Sequence, residues 1–216
     1  QNTITTRQAQ KYGAGIFVSD FTNNQNNIRT IHDNTISTFI DQGIQSVNMN
    51  RVEIHNNTVR LDGVDDPFSG INLSMTRNSQ ISRNNVTGFN NIFTKIGVSS
   101  SSSFDNRFCC NTVDHLGSGF NFTGHCMPTK FSTNTMLEAT SGLWIADQSV
   151  IGRQEEMRNV FIGPFVNTPF TQGYAAVNLN SNDQLVLQSE FLVNDHPGTI
   201  YFPSPNLIYC SVPDWF

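Results

Sequence analysis

The residues best suited to chemistry are three closely spaced aspartates, Asp62, Asp65 and Asp66, and one lysine, Lys95. Carboxylates at this density suit a hard cation such as Ca2+, and a lysine can act as a base. The run Asp62-Gly63-Val64-Asp65-Asp66-Pro67 is also strong turn chemistry, so a solvated turn is the competing reading. His32 and His55 hold equivalent places two residues before an Asn. Side by side they would share a metal, titrate together or simply stack in solvent. Ser82, Cys109 and Ser132 hold that place further along, so the position is small and polar on average. No GxSxG, HExxH or phosphate-cradling glycine loop occurs, and no catalytic residue or metal ligand set is assigned.

The four cysteines, Cys109, Cys110, Cys126 and Cys210, lack the paired CxxC spacing of a structural zinc site. A disulfide between Cys126 and either Cys109 or Cys110 would suit an oxidising exterior. Free buried thiols are the alternative.

What must position these residues is a repeat. An apolar residue, two others, Asn, one more and a β-branched or apolar residue recur at Ile31-Asn34-Ile36, Ile54-Asn57-Val59, Ile81-Asn84-Val86, Phe108-Asn111-Val113 and Phe131-Asn134-Met136. A partial copy opens the chain at Asn2-Ile4. A Gly followed by an apolar residue keeps step at Gly15, Gly43, Gly70, Gly97, Gly119 and Gly142, with steps of 28, 27, 27, 22 and 23 residues. Such a period fits a leucine-rich repeat or a coil of parallel β-helix. Few Leu fall in the repeat, and segments such as Arg51-Val52-Glu53-Ile54-His55 alternate apolar and polar as half-buried strands do. The expectation is an all-β parallel β-helix of about six coils over 1–146.

In that fold Ile31, Ile54, Ile81, Phe108 and Phe131 stack inside. Asn34, Asn57, Asn84, Asn111 and Asn134 form a ladder at one bend, where Asn tolerates left-handed angles. The glycines are expected at a second bend with positive φ. The longest connections between Asn and the next Gly, around 60–69 and 87–96, are expected as adjacent loops bearing any function. Residues 147–216 lose the phrase and read as an irregular extension capping the last coil. Within it Gln154-Glu155-Glu156-Met157-Arg158 suits a helical turn.

The phrases Ile54-His55-Asn56-Asn57-Thr58-Val59 and Ile81-Ser82-Arg83-Asn84-Asn85-Val86 resemble right-handed parallel β-helix repeats of the NosD and pectate-lyase-like kind, which implies a right-handed solenoid. The stretch from Cys110-Asn111-Thr112-Val113 through Gly119-Phe120-Asn121-Phe122 to Gly142-Leu143-Trp144 looks like a subgroup found in large secreted bacterial surface proteins. Ile151-Gly152-Arg153-Gln154 and Trp215-Phe216 fit that likeness. It covers about two-thirds of the chain. The resemblance implies either a non-catalytic structural or adhesive module at the cell exterior or a polysaccharide-binding or polysaccharide-degrading one. The latter would need paired carboxylates, or acidic residues holding Ca2+ beside a Lys or Arg base. Asp62, Asp65, Asp66 and Lys95 are its candidates, and Phe89 and Phe93 could stack on sugars.

Composition limits the partners. Only 13% of residues are charged and the net charge is −5, which gives no electrostatic footprint for nucleic acid. No apolar run is long enough to cross a bilayer as a helix. With 17 Phe, and with Ile and Val at regular places, the chain reads as ordered despite its Asn, Ser and Thr. Asn56, Asn72, Asn85 and Asn121 are formal N-glycosylation acceptors. The chain opens at Gln1 with no Met or leader pattern, which reads as a mature or excised piece. Because the repeat starts inside a coil, an open coil edge is expected to let copies add end to end into a filament. Expected partners are therefore the chain itself or extracellular glycans.

Overall fold

The structure, a computed structural model, describes residues 2–5, 13–20, 28–38, 41–61, 69–155, 158–163, 165, 173–180, 189, 191–192 and 208–210. Of these, 38, 89–94, 155, 191–192 and 208–210 are described as backbone. No helix occurs among the described residues, and every strand pairing is parallel. The strands fall into three columns. The first holds β3 (Arg29–His32), β6 (Val52–His55), β9 (Gln80–Ser82), β11 (Asn106–Cys109) and β13 (Thr129–Ser132), a five-stranded sheet in the order β13-β11-β9-β6-β3.

The second column holds β1 (Thr3–Thr5), β4 (Thr35–Thr38), β7 (Thr58–Leu61), the starts of β10 (Asn85–Ser101) and β12 (Thr112–His125), then β14 (Thr135–Leu137) and β17 (Val160–Ile162). The third holds β2 (Ala14–Ser19), β5 (Gln42–Val47), β8 (Ser69–Ser74), the ends of β10 and β12, β15 (Ser141–Val150), β18 (Tyr174–Asn178) and β20 (Ile208–Cys210). Because β10 and β12 run through both, these columns merge into one sheet. The result is a β-solenoid of about five turns, close to the six coils expected.

Alternation explains the core. In the first column Ile31, Ile54, Ile81, Phe108 and Phe131 are register partners and all are buried. Ile36, Val59, Val86, Val113 and Met136 form the second inward file, and Ile44, Ile71, Val98, Phe120 and Leu143 belong to the third. Burying each such side chain contributes about 1.5–3 kcal/mol. Phe108, Phe120, Phe122 and Phe131 meet edge to face, with centroids 4.8–6.4 Å apart.

At the bend after the first column, Asn34, Asn57, Asn84, Asn111 and Asn134 each donate backbone N–H and side-chain Nδ2–H to the Oδ1 of the Asn one turn on. These bonds are 2.9–3.1 Å long. From Asn57 onward Nδ2 also donates to a carbonyl one turn back, at 2.8–3.0 Å, to Ile31, Ile54, Ile81, Phe108 and Phe131 in turn. Among the described residues the final acceptor is Asn159, which extends the ladder past residue 146. Strand pairing crosses that boundary too, since β14 pairs with β17 and β15 with β18. Gln154–Glu155 is strand β16, pairing with β19 (Phe191–Leu192), in place of the helical turn expected there. The buried Gln154 side chain accepts from Phe131 N at 2.9 Å and donates to Thr129 O at 2.7 Å, which holds it to the previous turn.

Three local expectations are corrected. The left-handed residue is the one before each ladder Asn: Asp33, Asn56, Arg83, Cys110, Thr133 and Arg158 have φ of 48–63°. The ladder Asn is kept for its amide. The file glycines, Gly15 to Gly142, sit inside third-column strands, or just before their regular pairing, without positive φ. Their reason is close approach, since a Cβ at each would lie 2.5–2.9 Å from the carbonyl oxygen of the next turn. Finally, 87–96 is not a loop. It lies within β10, where register shifts between Thr87, Ile92 and Ile96 absorb the extra residues as bulges.

Candidate functional site

The first column presents its polar residues outward in register. One file reads Thr30, Glu53, Gln80, Arg107, Lys130; the next reads His32, His55, Ser82, Cys109, Ser132. Parallel pairing sets members of a file about 4.8 Å apart along the axis. The bends at either side add Arg51, Asn78 and Asp105 on one flank and Arg83 and Cys110 on the other. These bend residues, with Glu53, His55, Gln80, Ser82, Arg107, Cys109 and Lys130 of the files, line two cavities of about 440 and 360 Å3 that share Glu53, Gln80 and Arg107, so one groove runs along the solenoid.

The groove holds four fixed cations, Arg51, Arg83, Arg107 and Lys130, against two carboxylates, Glu53 and Asp105. That balance is opposite in sign to the chain as a whole. Among the described residues no ion pair joins these groups to one another. The arrangement offers hydrogen-bond donors and charge to an extended polar ligand lying along the axis.

At one end of the groove the rings of His32 and His55 stack, with centroids 5.1 Å apart and planes 11° from parallel. His32 Nδ1 lies 2.8 Å from Asp33 Oδ2, and this hydrogen bond holds the exposed Asp33 carboxyl below its ordinary value. His32 is exposed and His55 half-buried, and the rings stack because consecutive parallel strands place identical residues over one another.

Asp62, Asp65 and Asp66 lie outside the described residues, as do the side chains of Phe89 and Phe93. Lys95 is fully buried, and its Nζ donates to the Leu61 carbonyl at 2.8 Å. It therefore ties β10 to β7 from the interior and offers no base to an open groove. Among the described residues no set of three or more His, Cys, Asp or Glu side chains is placed to hold a metal. Cys109, Cys110 and Cys126 are free thiols, and no disulfide joins them. Cys126 is buried, its Sγ donating to the Ser100 carbonyl at 3.4 Å and the Thr123 carbonyl at 3.3 Å. It occupies a core position, whereas Cys109 and Cys110 border the groove.

A second polar cluster was not evident from motifs. His115 Nδ1 lies 2.7 Å from Asp114 Oδ1, and its Nε2 lies 2.9 Å from Glu138 Oε2. The ring thus bridges two turns from a left-handed residue with φ of 55°. Writing the chain in register would have brought it out, since Asp114 pairs with Leu137, the residue before Glu138. No protein-family model, curated protein or solved structure matches this chain.

Proposed function

We propose that the chain is a non-catalytic structural and adhesive module of an extracellular or cell-surface protein, a stiff solenoid that binds extended polar polymers along its first-column face. The observation that carries this reading is the outward file Glu53, Gln80, Arg107 and Lys130, which runs along one groove. It stands on a scaffold whose turns are bonded to one another through buried Asn amides. A ligand laid along the axis meets donors in fixed positions, with little ordering cost on the protein side. Extracellular glycans, rich in hydroxyls and often in carboxylates, are the partner class that such a groove suits.

A panel of neutral and acidic polysaccharides, scored in parallel for binding and for turnover, tests it. Binding without turnover, weakened at least roughly tenfold by Arg107→Ala with Lys130→Ala, is the expected result. Salt should weaken binding of acidic members. Equal binding by the double variant would contradict the reading.

A degradative second reading has one specific support: two carboxylates, Glu53 and Asp105, line the same cavity as Arg107. Glycosidases use such a carboxylate pair as acid and base or nucleophile. Turnover abolished by Glu53→Gln with the fold intact would favour it.

A further inference from the structure

Cys109 and Cys110 are adjacent in sequence, and both border the groove, beside His55, Arg83 and Arg107 in the cavity of about 360 Å3. Cys109 ends β11 and faces outward in the file between Ser82 and Ser132. Cys110 is exposed at the left-handed position of the bend, with φ of 63°. Its backbone N–H donates to the Ser132 carbonyl at 3.2 Å, so the next turn fixes the bend and both thiols stay on the cavity wall. Both are free.

We propose that Cys109 and Cys110 form a vicinal dithiol site that chelates a soft, thiophilic d10 cation at the edge of the groove. Neighbouring Cα atoms stand about 3.8 Å apart. Ordinary disulfides span roughly 4.4 Å or more. A Cys109–Cys110 bond would be strained and easily reduced, which leaves the dithiol as the resting form. Thiolates select soft cations over Ca2+ or Mg2+.

Chelation of a divalent ion breaks two S–H bonds, releases both protons to solvent and forms two metal–sulfur bonds as waters leave the cation. No electron is transferred. Arg83 and Arg107 line the same cavity as the two cysteines. Among the described residues no third protein donor completes the site. The remaining coordination positions belong to water or to a donor on a ligand in the groove.

The test is titration of the reduced full chain with Cd2+ alone, followed by the ultraviolet sulfur-to-metal charge-transfer band. The proposal predicts a single tight site retained in Cys126→Ser and Cys210→Ser. Cys109→Ser and Cys110→Ser should each weaken it by more than the roughly 10–100-fold typical of a supporting residue. Both variants should fold, since serine already occupies the place of Cys109 in the turns on either side and Cys110 is exposed; an unchanged circular dichroism spectrum confirms it. Cd2+ binding unaltered in both variants, loss of binding in Cys126→Ser instead, or a Cys109–Cys110 disulfide persisting in mild reductant would overturn the proposal.

Discussion

At the bend after the first column, Asn57 and Asn84 join successive turns through paired amide hydrogen bonds. Near the start of the third column, Gly70 and Gly97 do so by having no side chain at all, each letting the next turn's carbonyl approach. The two files share one period, which is why they look alike in the sequence, yet they hold the solenoid by opposite means. One supplies polar atoms that must all be satisfied in the interior. The other removes atoms that would collide. A conservative change is therefore judged differently in each: hydrogen-bond inventory decides at the Asn file, and volume alone decides at the Gly file.

The largest expected effect comes from breaking the inventory. Asn84→Ala strands the Asn57 backbone N–H and the Ile54 carbonyl and leaves a void, a loss of about 4 kcal/mol in denaturant unfolding. Asn84→Asp keeps the shape but can no longer donate to Ile54 O and Asn111 Oδ1 when ionised. Burial disfavours its charged form, so its folded-state affinity for the proton exceeds that of the unfolded chain. Its stability should fall as pH rises above about 3.9, the unfolded carboxyl value, with low pH a partial rescue. A flat pH profile for this variant would remove the hydrogen-bond account.

Gly97→Ala is next. Its Cβ would lie 2.5 Å from Gly119 O and 2.8 Å from Val113 Cγ1, and a strand backbone cannot step aside cheaply. Overpacking of this kind costs about 1–3 kcal/mol. The loss should be independent of pH, in contrast to Asn84→Asp. Asn159→Ala should cost less, about 1–2 kcal/mol, because among the described residues its ladder bonds run to the preceding turn alone. An unchanged midpoint would mean that the turns before residue 146 do not feel those after it.

The smallest effect is at Asp33. Its carboxyl is held below the ordinary value chiefly by the His32 hydrogen bond. The stabilisation it adds is present above the unfolded value and is lost as pH falls through the lower folded one. His32→Ala should move the Asp33 carboxyl titration, followed by NMR, back upward, with little change in stability.

Much of this architecture could be read from spacing, because a parallel coil places equal phrases over one another. The apolar files from Ile31 to Phe131 needed only the period and alternation. Asn159 escaped because Glu156 stands three places before it, where earlier copies have Ile or Phe. Ala175 likewise takes the place of a glycine in the next turn. The role of the glycines was misassigned because glycine signals both positive φ and close approach, and only coordinates separate them. The groove could not be seen as a motif. Glu53, Gln80, Arg107 and Lys130 have no residue type in common and are united by register alone.

The most direct test of the central claim is backbone amide hydrogen exchange at Asn57, Asn84, Asn111 and Asn134. Each of these N–H groups is bonded to a side-chain Oδ1 of the next turn. The ladder predicts that they exchange as slowly as the core-strand amides of Ile54 and Ile81. Exchange at the rates of unprotected backbone, with the strands still slow, would contradict it.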